Sequence, residues 1–356
     1  MKDLSRRFLT ILSVVSTCLL ASCSEDNQET IIPESEADPT GPEEIFSVVT
    51  LNVDGLPKSI NLLGLYKITV NEDGPGAKYT SQISSYLSDM SYDFISVQEN
   101  FNYDSQLYSS LSANYDRDLW SGGLNAQKMT SDSRFMSDGL NAFWKKGITA
   151  TMTDSVSWNA NYGKFDHAWD AIVTKGFRRY DVKLNEGSQV VIYNMHMDAG
   201  DDEDEAKGLD GPDCRTRMVQ WRQLRDYILS HLDKRPVIIM GDLNSWYERD
   251  SIKIQFIDAI EKTGRAKVSD VWIELVNNGK YPEIIDGPVT KDPGATGWSR
   301  NGELLDKMLY INPKGGSKLY PMNIFIDQNG YRKEDGTPLG DHTPLAVTFK
   351  IKNQVL

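Results

Sequence analysis

The sequence predicts a single α/β domain built on a mixed β-sheet or a pair of sheets. Short β-branched apolar runs are typical of strands buried on both faces, and they occur at residues 45–51, 94–97, 140–144, 171–174, 189–193, 237–240, 305–311, 319–326 and 345–351. Two segments, residues 78–90 and 215–232, carry apolar side chains at helical spacing. Because strands outnumber helices and the two types alternate, a layered α/β fold is favoured.

The first 22 residues have the organisation of a signal peptide. Lys2, Arg6 and Arg7 form a basic start, and the apolar stretch 8–20 is too short to span a bilayer. The next residues, Leu-Leu-Ala-Ser-Cys at 19–23, resemble the bacterial lipobox, in which the cysteine becomes the lipid-modified first residue of the mature protein. The alternative is the small-residue cleavage site of an ordinary secreted protein.

Residues 23–43 predict a flexible acidic tether, because they are rich in Pro, Glu and Asp and have no capacity to form a core. The folded domain is then expected over residues 44–356. Acidic residues directly after Cys23 resemble the surface-export signal of some gram-negative lipoproteins. The sequence therefore predicts a monomeric protein that is lipid-anchored in the bacterial outer membrane through Cys23, and the acidic residues after Cys23 favour exposure at the cell surface.

The composition limits the classes of partner. At 356 residues and 39% hydrophobic content, the chain is long enough for a large core. Its formal charge of −13 repels polyphosphates at long range, which disfavours tight nonspecific binding of DNA or RNA. Metal ions at a site would still attract one phosphate locally.

Cysteine usage excludes an intradomain disulfide. Cys18 lies in the apolar leader and Cys23 at the predicted anchor, so Cys214 is the one thiol left in the folded part. A structural role is favoured for it over a nucleophilic one.

Five polar segments follow or end apolar runs, and together they predict a functional site. Polar side chains at strand ends emerge at the rim of a sheet, where loops build sites and carboxylates need not be buried without a partner. The side chains concerned are Asn52, Glu99, His196, Asp242 with Asn244, and Asp341 with His342. Each can hold a metal ion or move a proton.

In this order the segments resemble the endonuclease/exonuclease/phosphatase superfamily, which includes deoxyribonucleases, abasic-site endonucleases, inositol polyphosphate 5-phosphatases and bacterial sphingomyelinases. The resemblance covers residues 45–350. It implies a four-layer α/β/β/α sandwich of two mixed β-sheets flanked by helices, and a metal-assisted hydrolysis of a phosphoester. His196 and the residues after it are similar to the sphingomyelinase and deoxyribonuclease branches.

The resemblance also implies a role for each residue. Asn52, Glu99 and Asp341 are expected at the metal, and hard oxygen ligands of this kind suit Mg²⁺, with Mn²⁺ as an alternative. Asp242 is expected to activate the attacking water and Asn244 to hold the phosphate.

Two histidines complete the expected catalytic set, His196 and His342. A charged His342 would stabilise the transition state, and the superfamily pairs this histidine with an aspartate, for which Asp306 stands in the matching position. Lys307 departs from the aromatic or histidine residue that many relatives have there.

Other residues are weaker candidates. Four cations are candidates for binding a phosphate or headgroup, and three aromatic residues are candidates for contacting a lipid or a base: Lys58, Lys175, Arg178, Arg300, Tyr66, Trp246 and Trp298. A surface or core role is favoured over a pocket role for His167. The acidic run 201–205 lacks the alternating ligand spacing and the glycine of a calcium loop.

Three functions remain open from the sequence. The first is a Mg²⁺-dependent phosphodiesterase acting on a phospholipid headgroup or another small phosphoester. The second is an extracellular nuclease, which the acidic charge and the lack of a basic stripe disfavour. The third is a noncatalytic surface-binding protein that keeps the fold.

Overall fold

The computed structural model describes residues 37–62, 66–123, 137–163, 170, 173–200, 211–283, 292–294, 297–300 and 303–355. These residues belong to one compact unit, residues 37–356. The predicted signal peptide, the predicted anchor at Cys23 and most of the predicted tether lie outside the described residues.

Within this part of the chain the strands are β1 Glu43–Asn52, β2 Ser59–Leu62, β3 Tyr66–Thr69, β4 Phe94–Gln98, β5 Tyr115–Arg117, β6 Asn141–Lys145, β7 Thr149–Ser157, β8 Gly176–Lys183, β9 Gln189–His196, β10 Val237–Asp242, β11 Ala266–Asp270, β12 Asp292–Gly294, β13 Gly297–Arg300, β14 Glu303–Leu304, β15 Asp306–Pro313, β16 Lys318–Ile326 and β17 Leu345–Lys352. The α-helices are α1 Gly76–Met90, α2 Asp104–Leu107, α3 Pro212–His231, α4 Tyr247–Asp250, α5 Asp258–Glu261 and α6 Val271–Leu275. A 3₁₀ turn at Leu111–Ala113 and a π-helical turn at Lys253–Ile257 complete the described elements.

Two six-stranded sheets carry the fold. The first sheet has the order β16-β17-β1-β4-β6-β5, and the second has the order β11-β15-β10-β9-β8-β7. Each is mixed, because β1 runs parallel to β4 and β10 runs parallel to β9 whereas the other neighbours are antiparallel. Each parallel pair brings two carboxyl-terminal strand ends to the same edge.

Three apolar clusters show how the layers are stacked. One contains Phe46 and Val48 of the first sheet together with Ile238 and Met240 of the second, so it fills the space between the sheets. Another joins the second sheet to α3, and a third joins the first sheet to α1. The predicted four-layer α/β/β/α sandwich is confirmed.

Most of the strands expected from the sequence are present. The run 171–174 is not a strand over its described residues, and the next strand begins at Gly176. The long connection from Gly55 to Gly76 contains the hairpin β2–β3. The sequence pattern missed β7 because it is a polar edge strand with no fully buried position.

Cys214 is buried, and its Sγ donates to the carbonyl of Arg249 at 3.3 Å, in keeping with the structural role expected for it. Among the helices of the described ranges, none is both long enough and apolar enough to cross a bilayer.

Candidate active site

The strand alternation carries four of the predicted residues to the same cleft between the two sheets. Side chains two apart along a strand share a face, and Ile238 and Met240 of β10 lie in the intersheet core, so Asp242 continues the same row. The same holds for Asn52 at the end of β1, His196 at the end of β9 and Asp306 at the start of β15.

The pairing register of β10 with its two neighbouring strands then places these side chains next to one another. Asp242 lies opposite His196 on one side and opposite Asp306 on the other. Gly241 makes the close approach to β9 possible, since a Cβ atom there would lie 2.0 Å from the carbonyl oxygen of Met195. The polar ends of three adjacent strands of the second sheet therefore meet at one point.

Asp242 is the centre of this arrangement and is 2% exposed. Its Oδ2 accepts a hydrogen bond from Asn52 Nδ2 at 3.0 Å and lies 3.4 Å from His196 Nε2 and 3.6 Å from His342 Nε2. Its Oδ1 accepts from the backbone N–H of Asn244 at 3.1 Å. Burial works against the anion, but the positive charge of His342 and the other surrounding groups outweigh it and lower the pKa of Asp242.

His342 is held by Asp306, as the sequence prediction paired them. The distance from Nδ1 to Asp306 Oδ2 is 2.8 Å, and both side chains are buried. Burial disfavours a charged imidazole, yet the carboxylates of Asp306, Asp242 and Asp341 raise the pKa of His342 well above its usual value. Burial also raises the pKa of Asp306 to about 7. Because the pKa values of both His342 and Asp306 are raised, the pair keeps a proton at neutral pH.

On the side of the first sheet, Glu99 and Asp54 lie within the electrostatic influence of the exposed Asp341. Burial, together with the charge of Asp341, raises the pKa of Glu99 to about 7 and that of Asp54 to about 8. One oxygen of Glu99, one nitrogen of His196 and one oxygen of Asp242 all lie within 4.8 Å of one another. An oxygen-rich, mutually repelling set of this kind fits a hard divalent cation such as Mg²⁺.

Asn52 lies at the predicted site, and its two amide atoms have different partners. The prediction made it an oxygen ligand of the metal, but its Oδ1 accepts the backbone N–H of Asp54 at 2.9 Å. Its Nδ2 faces the carboxylates and donates to both Glu99 Oε1 and Asp242 Oδ2 at 3.0 Å. In this arrangement Asn52 bridges and orients two carboxylates, and its predicted role at the metal stays a prediction.

Asp54 is the site residue that the sequence prediction missed. It stands two positions after Asn52, a spacing that matches the one between Asp242 and Asn244. That repeated spacing after a strand end was the available signal. In the structure Asp54 contributes a third carboxylate beside Glu99.

Three site residues have left-handed backbone conformations: Asp54 with φ 48°, Glu99 with φ 56° and Asn244 with φ 46°. Non-glycine residues adopt this region at a cost, and such residues cluster where function fixes the backbone. Asn244 is half-buried, and its Nδ2 donates to the carbonyl of Met197 at 3.3 Å. Its predicted contact with phosphate stays a prediction.

His196 and Lys175 form the buried side of the site. Burial and then the neighbouring Lys175 charge lower the pKa of His196 well below its usual value, so its imidazole is neutral at pH 7. Lys175 is 4% exposed, forms an ion pair with Asp170 and donates to the carbonyl of Met197 at 3.3 Å. This burial argues against the assignment of Lys175 to headgroup binding.

Arg178 and Trp246 are also buried rather than available to a substrate. Arg178 is 3% exposed and pairs with Asp118 at 2.7 Å and with Asp138 at 2.8 Å. Trp246 is 4% exposed. Lys307 points away from the cleft, since it lies over the Tyr247 ring at 4.8 Å, so its departure from the superfamily pattern leaves the His342 pair intact.

Of the remaining weak candidates, Lys58 is exposed. The residues His167 and 201–205, and the side chains of Tyr66, Trp298 and Arg300, lie outside the described part of the structure.

A buried polar layer closes the floor of the cleft and joins the two sheets. Gln98 Nε2 donates to Asn194 Oδ1 at 2.8 Å and to Thr50 Oγ1 at 3.0 Å. Asn194 Nδ2 donates in turn to the carbonyls of Val97 and Asn141. Because these side chains lie one step below Asn52 and His196 in the alternation, they fix how the two halves of the site face each other.

No protein-family model matches the chain. Among curated proteins, sphingomyelinases of Mycobacterium bovis and Mycobacterium tuberculosis are 26% identical over 313 residues, which cover 85% of this chain and 52% of theirs. The chain thus spans about half the length of these relatives.

Solved structures with a similar fold include TDP2 of D. rerio in complex with a single-strand DNA product, at 16% identity and a TM-score of 0.55, covering 86% of this chain and 99% of that one. The beta toxin of Staphylococcus aureus has 16% identity and a TM-score of 0.54, covering 85% and 99%. An endonuclease/exonuclease/phosphatase family protein of Bacteroides thetaiotaomicron has 15% identity and a TM-score of 0.53, covering 88% and 100%. At these identities the likeness concerns the fold.

Proposed function

We propose that the chain, which has the fold of the endonuclease/exonuclease/phosphatase family protein described above, is a metal-dependent phosphodiesterase. One observation carries the proposal: the buried Asp242 carboxylate lies within 3.6 Å of the imidazoles of both His196 and His342, beside the carboxylate of Glu99. A protein that only binds a ligand has no need to bury an anion between two titratable imidazoles next to a cation site.

In the proposed reaction, a water oxygen forms the new bond to phosphorus as the ester bond to the alcohol breaks. Asp242 orients this water and accepts its proton, and the backbone N–H of Asn244 and the Asn52 amide hold the carboxylate for that task. The charged form of His342, held by Asp306, faces the negative charge that builds on the phosphoryl oxygens.

A divalent cation held by Glu99, Asp54 and Asp341 would supply further neutralisation of the phosphoryl charge. Mg²⁺ suits these oxygen donors, and Mn²⁺ takes similar ligands.

The proposed substrate is a phospholipid headgroup diester or a small phosphoester. The 26% identity to sphingomyelinases over most of this chain supports a sphingomyelinase-like substrate. The formal charge of −13 counts against nucleic acid, although a protein of the same fold has been solved with a single-strand DNA product. We also propose that the mature protein is a monomer anchored in the outer membrane through lipidated Cys23.

The test is a release assay on sphingomyelin, phosphatidylinositol phosphates, a small diester dye and plasmid DNA, each with Mg²⁺, with Mn²⁺ and with excess chelator. We expect hydrolysis of a lipid or small diester that stops with chelator and in Asp242→Asn. Full activity in excess chelator would reject the metal-dependent mechanism. Cleavage of DNA alone would instead favour the nuclease alternative, and no turnover on any substrate would favour the noncatalytic binder.

A further inference from the structure

Tyr331 is a buried tyrosine whose hydroxyl has no hydrogen-bond partner among the described residues. The residue is 1% exposed and belongs to the cluster between the first sheet and α1. Its ring packs edge-on against the Tyr86 ring, with centroids 5.3 Å apart. A phenylalanine would make the same ring contacts, so packing alone gives no reason for the hydroxyl.

The hydroxyl is directed at the acidic side of the candidate site. The loop that follows Tyr331 folds back on itself, because Leu339 N–H donates to the Tyr331 carbonyl. This return places Gly340, the residue before Asp341, against the hydroxyl. A Cβ atom built on Gly340 would lie 3.5 Å from the Tyr331 oxygen and 3.7 Å from the Cβ of Asp54.

The electrostatic surroundings agree with that placement. Burial raises the pKa of Tyr331 well above its usual value, and the charges of Asp341 and Asp54 raise it further. A tyrosine phenol is neutral at pH 7, so its hydroxyl is available as a donor. A buried donor without a partner is costly, and a group bound at the acidic cluster would provide the acceptor.

We propose that Tyr331 is a positioning residue of the cation site, donating its hydrogen bond to the oxygen shell of a divalent cation held by Asp54 and Asp341. The inference rests on the proposed function for the existence of that cation. Groups that hold the ligands of a metal from outside influence affinity strongly, and their loss costs about 10- to 100-fold in binding.

The experiment compares Tyr331→Phe with Tyr86→Phe in the purified full-length protein. Tyr86 is a matched control, because its ring packs against the same Tyr331 ring while its hydroxyl donates to Asp327 at 3.0 Å. Mg²⁺ and Mn²⁺ affinities are measured by isothermal titration calorimetry. Thermal melting with and without the cation gives a second readout that does not depend on activity.

We expect Tyr331→Phe to weaken cation binding by at least about 10-fold, with an unchanged or higher melting temperature in the absence of the cation. Tyr86→Phe should bind the cation as the unsubstituted protein does. A merely structural role for the hydroxyl predicts the opposite pattern for Tyr331→Phe, with lower stability and unchanged affinity, and that result would overturn the inference.

The two levels of failure are distinguishable. Glu99→Gln is the positive control for loss of the cation. If the unsubstituted protein binds the cation and Glu99→Gln does not, an affinity of Tyr331→Phe within twofold of the unsubstituted value contradicts the inference alone. If the unsubstituted protein binds neither cation, the metal-dependent function itself is wrong, and the inference fails with it.

Discussion

Replacing Asp306 with asparagine tests whether the buried pair with His342 supports catalysis. The substitution keeps the shape of the side chain and removes its charge, 2.8 Å from His342 Nδ1. Two unit charges about 4 Å apart at an effective dielectric constant of about 20 interact by about 4 kcal/mol. Each 1.36 kcal/mol corresponds to a factor of about ten in rate, so kcat should fall by about 10²- to 10³-fold.

The assay is steady-state hydrolysis of the diester dye at saturating Mg²⁺, read separately as kcat and KM. We expect KM to change little, because Asp306 lies behind His342 and is 0% exposed. Asp270→Asn is the matched control. Asp270 is also a buried aspartate on the second sheet, where it accepts from Tyr247 Oη at 2.7 Å and caps α6.

Asp270→Asn should lower stability and leave kcat within about twofold, because its partners are structural. The two variants therefore separate a general loss of packing from a loss of charge at the imidazole. A folded Asp306→Asn protein with a kcat within about threefold of the unsubstituted value would refute the role given to the pair. Equal losses in both variants would show that stability, rather than charge, limits the rate.

Three further predictions concern two buried cations and the predicted lipid anchor. Arg178→Met should lower the free energy of unfolding by about 3 to 5 kcal/mol in denaturant titration, because it leaves buried carboxylates without their cation. The control is Arg179→Met in the same strand, which should lower it by about 1 kcal/mol or less because the partners of Arg179 are more exposed. Similar losses in the two variants would contradict this prediction. Lys175→Met removes the partner of Asp170 and should lower kcat equally on lipid and dye, and a KM effect confined to lipid would restore the headgroup interpretation. Cys23→Ser should release the protein from membranes into the soluble fraction, and unchanged membrane association would reject the proposed lipid anchor.

The sequence predicted the location of the site because strand alternation is a local property. Asn52, His196 and Asp242 each stand at the end of a strand. Alternate residues along each of these strands face the space between the sheets, so the same alternation places all three side chains in the intersheet cleft. Asp306 begins its strand, and it was identified by resemblance and not by pattern. The layered fold followed from the same runs, together with the amphipathic spacing of two helices.

The direction of individual side chains did not follow from the pattern. Asn52 turns its nitrogen and not its oxygen toward the carboxylates, because its oxygen is occupied by the N–H of Asp54. Lys175 directly precedes β8 and Arg178 lies within it. Single-sequence reasoning places such charged residues at the surface. Their burial depends on Asp170, Asp118 and Asp138, which are distant in sequence or lie in segments without a periodic pattern.

The polar floor of the cleft explains why the two sheets can hold a site that neither could form alone. Glu99 follows a strand of the first sheet and Asp242 ends a strand of the second. Asn52 bridges them only if its Nδ2 lies 3.0 Å from both Glu99 Oε1 and Asp242 Oδ2. Apolar packing between sheets tolerates small slides, whereas the Gln98–Asn194 hydrogen bond of 2.8 Å has a defined length and direction. Buried polar groups in this position specify one register, because any slide leaves them unpaired at a cost of about 1–3 kcal/mol each. The hydrogen bonds of Gln98 and Asn194 therefore fix the geometry of the cleft before any substrate or cation binds. They also fix the positions of the charged groups around Asp242.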